Sequence, residues 1–243
     1  MFRRSFIQNT ILGTLGASIL KPVIESSILA GSTVEGNKFF MSESGIYGKD
    51  STFILGFLKV SNPEIYENDL LMLRETTGYR TNLTYRSNDR HKIEFAKAAI
   101  DLIVSSNDFK FFVKYSDISN EVGDIGFKLS AINQYKIDLV NELNIRMGET
   151  PQAIVSKYQS LNGPSETFRS RFKAETGVDH NMEITRDSNL LQLSSYLTST
   201  VAAIINDKIN HPIKLEVTEY FKTRTGVTNF DNTFSQGNIN FYK

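Results

Sequence analysis

Residues 37–60 read NKFFMSESGIYGKDSTFILGFLKV, and the reading of this stretch decides the fold. Lys38, Phe39, Phe40 and Met41 make an aromatic run that leads into Ser42-Glu43-Ser44-Gly45. Phe53 to Val60 returns as a second run of aromatic and branched residues. Two such runs around a segment holding Gly45 and Gly48, residues that turn at little steric cost, specify a β-hairpin. A chain that opens on a hairpin and continues into helical patterns is expected to build an α/β domain.

Downstream, Pro63 to Thr76 reads as a helix with Pro63 in its first turn and a stripe of Ile65, Tyr66, Leu70 and Leu73, ended by Gly78. Tyr79 to Tyr85 reads as a short strand. The next helix is capped by Ser87 or Asn88. It buries Ile93, Ala96, Ile100 and Ile103 and leaves Lys92, Glu94, Lys97 and Asp101 in solvent. Phe109 to Tyr115 is aromatic enough for a half-buried strand. After a loop from Asp117 to Gly126 come a long helix at 128–147, a strand at 152–158, a polar helix at 165–176 and a short strand at 182–185. Ser188 to Asn206 is apolar around most of its circumference and is expected to be buried. Ile213 to Thr223 is a last amphipathic element. The Asn-, Thr- and Gly-rich residues 225–243 read as a mobile tail. No repeat or linker divides the sequence.

Composition narrows the function. The 243 residues carry 27 basic and 27 acidic side chains, so there is no global field to attract nucleic acid. Cys is absent, which excludes disulfides and thiolate metal sites, and the three histidines are widely spaced. Residues 1–30 resemble a twin-arginine export signal. Arg3-Arg4 precedes a mildly apolar run too short and too polar to span a membrane, and Ser27 to Ala30 offers a small-residue cleavage site. Cleavage there removes Arg3, Arg4 and Lys21 against Glu25 and leaves a net charge of −2. The expected location is periplasmic or secreted, with a cytoplasmic location as the alternative.

The hairpin, followed by Leu191-Gln192-Leu193-Ser194-Ser195 near the other end of the chain, resembles the domain of unknown function 3800 family, thought to be ribonuclease H-like. Members typically carry Asp-Glu-Ser-Gly where Ser42-Glu43-Ser44-Gly45 stands and Leu-Gln-Leu-Ala-Asp where residues 191–195 stand. The resemblance covers about residues 38–224. It implies a mixed sheet opened by a β-hairpin and flanked by helices, with residues 37–224 as the domain. It also implies a site of four acids for Mg or Mn, since hard divalent cations take oxygen ligands and a metal pair clamps both oxygens of a phosphoryl displacement.

Carried over residue by residue, the four positions fall on Ser42, Asn82, Ser156 and Ser195. Each is neutral, and hydroxyls and amides hold hard cations poorly without carboxylate charge beside them. The resemblance therefore implies a degenerate member, a pseudoenzyme with no cofactor, acting as an exported binding or structural module. Under the alternative of a metal-dependent nuclease or phosphoryl-transfer enzyme, nearby acids replace the lost ones: Glu43, Asp50, Asp89, Asp117 or Asp187. Glu43 should point to the sheet face opposite Ser42, because strand side chains alternate. Asp187 is more simply a helix cap. Arg80, Arg86, Arg90 and His91, with Tyr79 and Tyr85, form a basic-aromatic cluster that could contact an anionic ligand or nucleic acid, although a solvated surface is the commoner meaning of such a run. No Gly-x-Ser-x-Gly elbow supports a serine hydrolase. The sequence names no ligand, partner or oligomeric state.

Overall fold

The computed structural model describes residues 38–44, 52–84, 90–117, 133–142, 153–157, 166–183, 187–206, 209, 211–227, 234–236 and 238–242. All of them belong to one compact unit, Gly36–Lys243. The export signal expected at 1–30 lies outside the described residues.

The hairpin forms as its two runs dictate. β1 (Lys38–Ser44) and β2 (Thr52–Val60) pair antiparallel, with Ser42 opposite Gly56. β3 (Phe109–Asp117) extends the meander antiparallel to β2. β4 (Ala153–Lys157) lies parallel to β1, and β5 (Asp179–Glu183) lies parallel to β4. β6 (Phe234–Gln236) and β7 (Ile239–Tyr242) form a second antiparallel pair, whose β7 runs parallel to β3. The mixed sheet has seven strands in the order β5-β4-β1-β2-β3-β7-β6. Residues 234–242, expected to belong to a mobile tail, thus complete one side of the sheet. Their short alternation, FSQ and INFY, is weak as a strand signal until β3 offers its edge.

Helices cover both faces, which is why β2 is buried along nearly its whole length and reads as a continuous apolar run. On the face bearing Phe40 and Ser42 lie α1 (Pro63–Thr77), α2 (His91–Ser105), α5 (Asn189–Ile205) and α6 (Pro212–Thr225), with α5 packed across β1 and β2. The opposite face carries α3, at 133–142, and α4 (Glu166–Thr176). Its core joins Phe39, Met41, Phe57 and Phe112 of the sheet to Ile137, Val140, Phe168 and Phe172.

Several expectations change in three dimensions. Residues 79–84 are not a strand: they cross the surface as an irregular segment, and the phenol of Tyr79, fully buried, donates to the Asn82 carbonyl. Lys92 is buried, not solvated. Its ammonium donates to the Thr84 carbonyl at 3.1 Å and lies 5.5 Å from the Tyr196 ring centre, so its stem packs while its charge stays satisfied. On α1 the inward residues are Tyr66, Leu70 and Arg74, whereas Ile65 is exposed. Gly78 ends that helix with φ 72°, a conformation that side chains disfavour.

Candidate functional site

α5 crosses the β1–β2 pair where β2 has no side chain. Gly56 sits opposite Ser42 on β2, and an added Cβ there would lie 1.9 Å from Thr198 Oγ1. The bare backbone lets α5 settle directly on the strand. Ser194 and Thr198, one turn apart on α5, then face Ser42. Ser42 Oγ is hydrogen-bonded to Ser194 Oγ at 3.2 Å and to Thr198 Oγ1.

A count of protons fixes the direction of these bonds. Ser194 Oγ donates to the Phe40 carbonyl at 2.6 Å, and Thr198 Oγ1 donates to the Ser194 carbonyl at 2.8 Å. Each hydroxyl has one proton, so Ser42 is the donor that Ser194 and Thr198 share. The cluster is closed: Ser194 and Thr198 are fully buried, and Ser42 is 7% exposed. A hard divalent cation takes six or more oxygen ligands and needs anionic ones among them. These three neutral oxygens, each already bonded within the cluster, do not fit one.

The positions implied by the resemblance do not converge. Ser42 is in the cluster, but the α5 hydroxyl that meets it is that of Ser194; Ser195, next along the helix, is partly exposed. Ser156 pairs in register with Met41, so it faces α3 and α4, on the side of the sheet away from Ser42. There its hydroxyl bonds His180 Nε2 at 2.8 Å. Asn82 is exposed in the segment after α1. Among the acids, Glu43 takes the face opposite Ser42, as the alternation requires, and pairs with Lys136 of α3. Asp187 is exposed one residue before the helix cap, which is Ser188: its Oγ accepts from the Leu191 N–H at 3.1 Å. Asp117 ends β3, paired with Thr52. Asp50 and Asp89 lie outside the described residues. Among the described residues, no three His, Cys, Asp or Glu side chains stand close enough to hold a metal ion.

Two polar groups that sequence reasoning missed fix α5 against its neighbours. Glu67 of α1 accepts from Ser188 Oγ at 2.7 Å and from the backbone N–H groups of Asn189 and Leu190 at 2.7 and 3.0 Å. It thus places a carboxylate on the positive end of α5. Arg74, one face further along α1, donates to Asn189 Oδ1 at 2.6 Å, to Gln192 Oε1 at 2.7 Å and to the Thr81 carbonyl at 2.5 Å. Burial lowers the pKa of Arg74, while Tyr79 and Glu67 pull it back up. Gln192 Oε1 also accepts from the Leu83 N–H at 2.7 Å, so the glutamine of the Leu-Gln-Leu motif clamps segment 79–84. The signal for this was Arg74 itself, a charge at an inward helical position.

A cleft of about 410 Å3 opens beside Glu67, between Lys38, Phe40, Glu64, Asn68 and Ser188. The hydroxyl cluster is not part of its lining. In the basic-aromatic cluster, Arg80, Arg90 and His91 are exposed, but Tyr79 is buried against Phe95 at 5.5 Å and offers no open ring. Arg86 and Tyr85 lie outside the described residues. No helix among the described residues is long and apolar enough to cross a membrane.

No family model matches the sequence, and no curated protein resembles it in sequence. Similar solved structures include ribonuclease HII of Archaeoglobus fulgidus in its complex with PCNA, at 12% identity and a TM-score of 0.46 over 78% of this chain and 90% of that one. Another is ribonuclease H2 of Pyrococcus horikoshii, at 14% identity and a TM-score of 0.46 over 79% of this chain and 90% of that one.

Proposed function

We propose that this protein is a non-catalytic binding or structural module that reuses a nuclease-like scaffold, a degenerate relative of the domain of unknown function 3800 family, exported through its twin-arginine segment. One observation carries the reading. At the crossing of β1 and α5, where the resemblance calls for the first metal-binding acid at Ser42, stands the buried Ser42, Ser194 and Thr198 cluster, whose protons are all committed, while the position of the last acid holds the neutral Ser195 beside it. A two-metal phosphoryl transfer needs anionic oxygens that hold the ions and an open face for the substrate. Neutral oxygens packed under a helix supply neither.

Calorimetric titration of the purified protein with Mg2+ and Mn2+, beside cleavage assays on DNA, RNA and hybrid duplexes, tests the proposal. The expected result is no site of millimolar or tighter affinity and no cleavage. One metal site with metal-dependent cleavage defeats it and favours a nuclease whose acids have moved elsewhere in the chain. Export is tested separately: replacing Arg3 and Arg4 by Lys is expected to hold the protein in the cytoplasm on cell fractionation, and an unchanged location defeats that part.

A further inference from the structure

The face of the sheet away from the hydroxyl cluster holds a polar pair that the proposed function does not use. His180, on the edge strand β5, is 4% exposed and wedged between two rings of α4, with centroids 5.9 Å from Phe168 and 5.2 Å from Phe172. Its Nε2 meets Ser156 Oγ of β4. Its Nδ1 is buried and, among the described residues, has no hydrogen-bond partner.

The charges around the ring come from every element packed on it. α4 contributes Arg169, whose Nε donates to the His180 carbonyl at 3.2 Å, and Lys173, which pairs with Asp179 at 2.7 Å. α3 contributes Lys136, which pairs with Glu43 of β1 and lies 5.8 Å from the Phe168 ring. Among the described side chains, β4 contributes the neutral Ser156 hydroxyl.

We propose that His180 is an acid-released latch: protonating its ring frees α4 and β5 from the sheet and leaves β4 as an open edge. A neutral imidazole fits the site better than a charged one, because Nε2 bonds Ser156 and a bare Nδ1 lone pair costs less than an unsatisfied N–H of a buried cation. A charged imidazole must donate from both nitrogens. The second N–H then points into apolar surroundings without an acceptor, next to two cations. Burial, reinforced by Lys136 and Arg169, holds the ring at about 4 against its ordinary 6.5, so it takes its proton only when the site opens. Opening detaches β5, which among the described residues is paired only to β4 and is the last strand on that side. It would uncover the backbone groups of Ala153 to Lys157, an edge able to accept another strand.

Hydrogen exchange of the full chain between pH 7 and pH 4.5, corrected for the intrinsic rate at each pH, tests this. Exchange in residues 166–183 is expected to accelerate about tenfold per pH unit below 6.5, the slope for one proton taken up on opening. It should run faster throughout than exchange in residues 189–205. His180→Gln should flatten the slope. A flat profile in the native chain overturns the latch, as does a slope that survives in His180→Gln. Exchange in 166–183 no faster than in 189–205 also overturns it, since only global unfolding would then be seen. If the variant does not fold, a ring titration of His180 by NMR decides: a midpoint above about pH 6 defeats the proposal, and one near 4 upholds it.

Discussion

Gly56 is where the approach of α5 to the sheet is decided. A methyl group there meets Thr198 Oγ1 at 1.9 Å and Thr198 Cβ at 3.0 Å, and α5 cannot yield without leaving β1. Gly56→Ala is expected to lower stability by about 1–3 kcal/mol, as overpacking does in a close-packed interior. Urea denaturation gives the number, and an unchanged midpoint would mean that the helix rides higher than described. Ser194→Ala removes one acceptor for the Ser42 proton and the donor to the Phe40 carbonyl, both buried. Its expected cost is about 1–3 kcal/mol, the penalty for stranding a buried polar partner. Neither change should create or remove metal binding, because in the proposed function the cluster holds no metal.

Among the elements, α5 is anchored by side chains of α1. Glu67 caps its N-terminus and Arg74 ties its first turn to segment 79–84. Arg74→Lys keeps the charge but loses the planar fork that reaches Asn189, Gln192 and Thr81 together. An expected loss of about 2 kcal/mol follows from removing two charge-assisted bonds in a buried setting. Thermal unfolding of the variant, with exchange at Leu83 as a local probe, checks both the size and the place of the effect. Glu67→Gln is expected to cost about 1 kcal/mol, since the carboxylate answers the positive helix end and an amide answers it only weakly.

For the molecule as a whole, the two ends of the sheet differ. On one side β7 covers the edge of β3 through parallel pairs from Phe111–Ile239 to Lys114–Tyr242. Removing residues 228–243 would bare that edge beside Phe111 and Val113. The truncated chain is expected to self-associate on size-exclusion chromatography; a stable monomer would contradict a structural role for the terminal strands. On the other side, global stability should follow His180. Its folded value, about 4, lies below the unfolded 6.5, so the unfolded state binds the proton more tightly. Stability is then fully present above pH 6.5 and declines as pH falls towards 4, by at most about 3 kcal/mol from this group. Urea midpoints from pH 7 to pH 4, compared between the native chain and His180→Gln, isolate its share.

What the sequence by itself determined was local. The hairpin, the stripe of Ile93, Ala96, Ile100 and Ile103, the stop at Gly78 and the buried helix at 189–205 follow from periodicity and turn chemistry, which neighbouring residues carry. The alternation that sends Glu43 away from Ser42 was legible for the same reason. Tertiary structure alone decided which hydroxyls meet: a helix side chain turns 100° per residue, so Ser194 rather than Ser195 faces Ser42, and a strand alternates, so Ser156 faces α4. It also decided that the last residues are strands, because a weak alternating run becomes a strand only when another strand offers unpaired backbone groups. The inward charges of Arg74, Lys92 and Glu67 belong to the same class, since each is satisfied by partners distant in the chain or by carbonyls that only folding brings near.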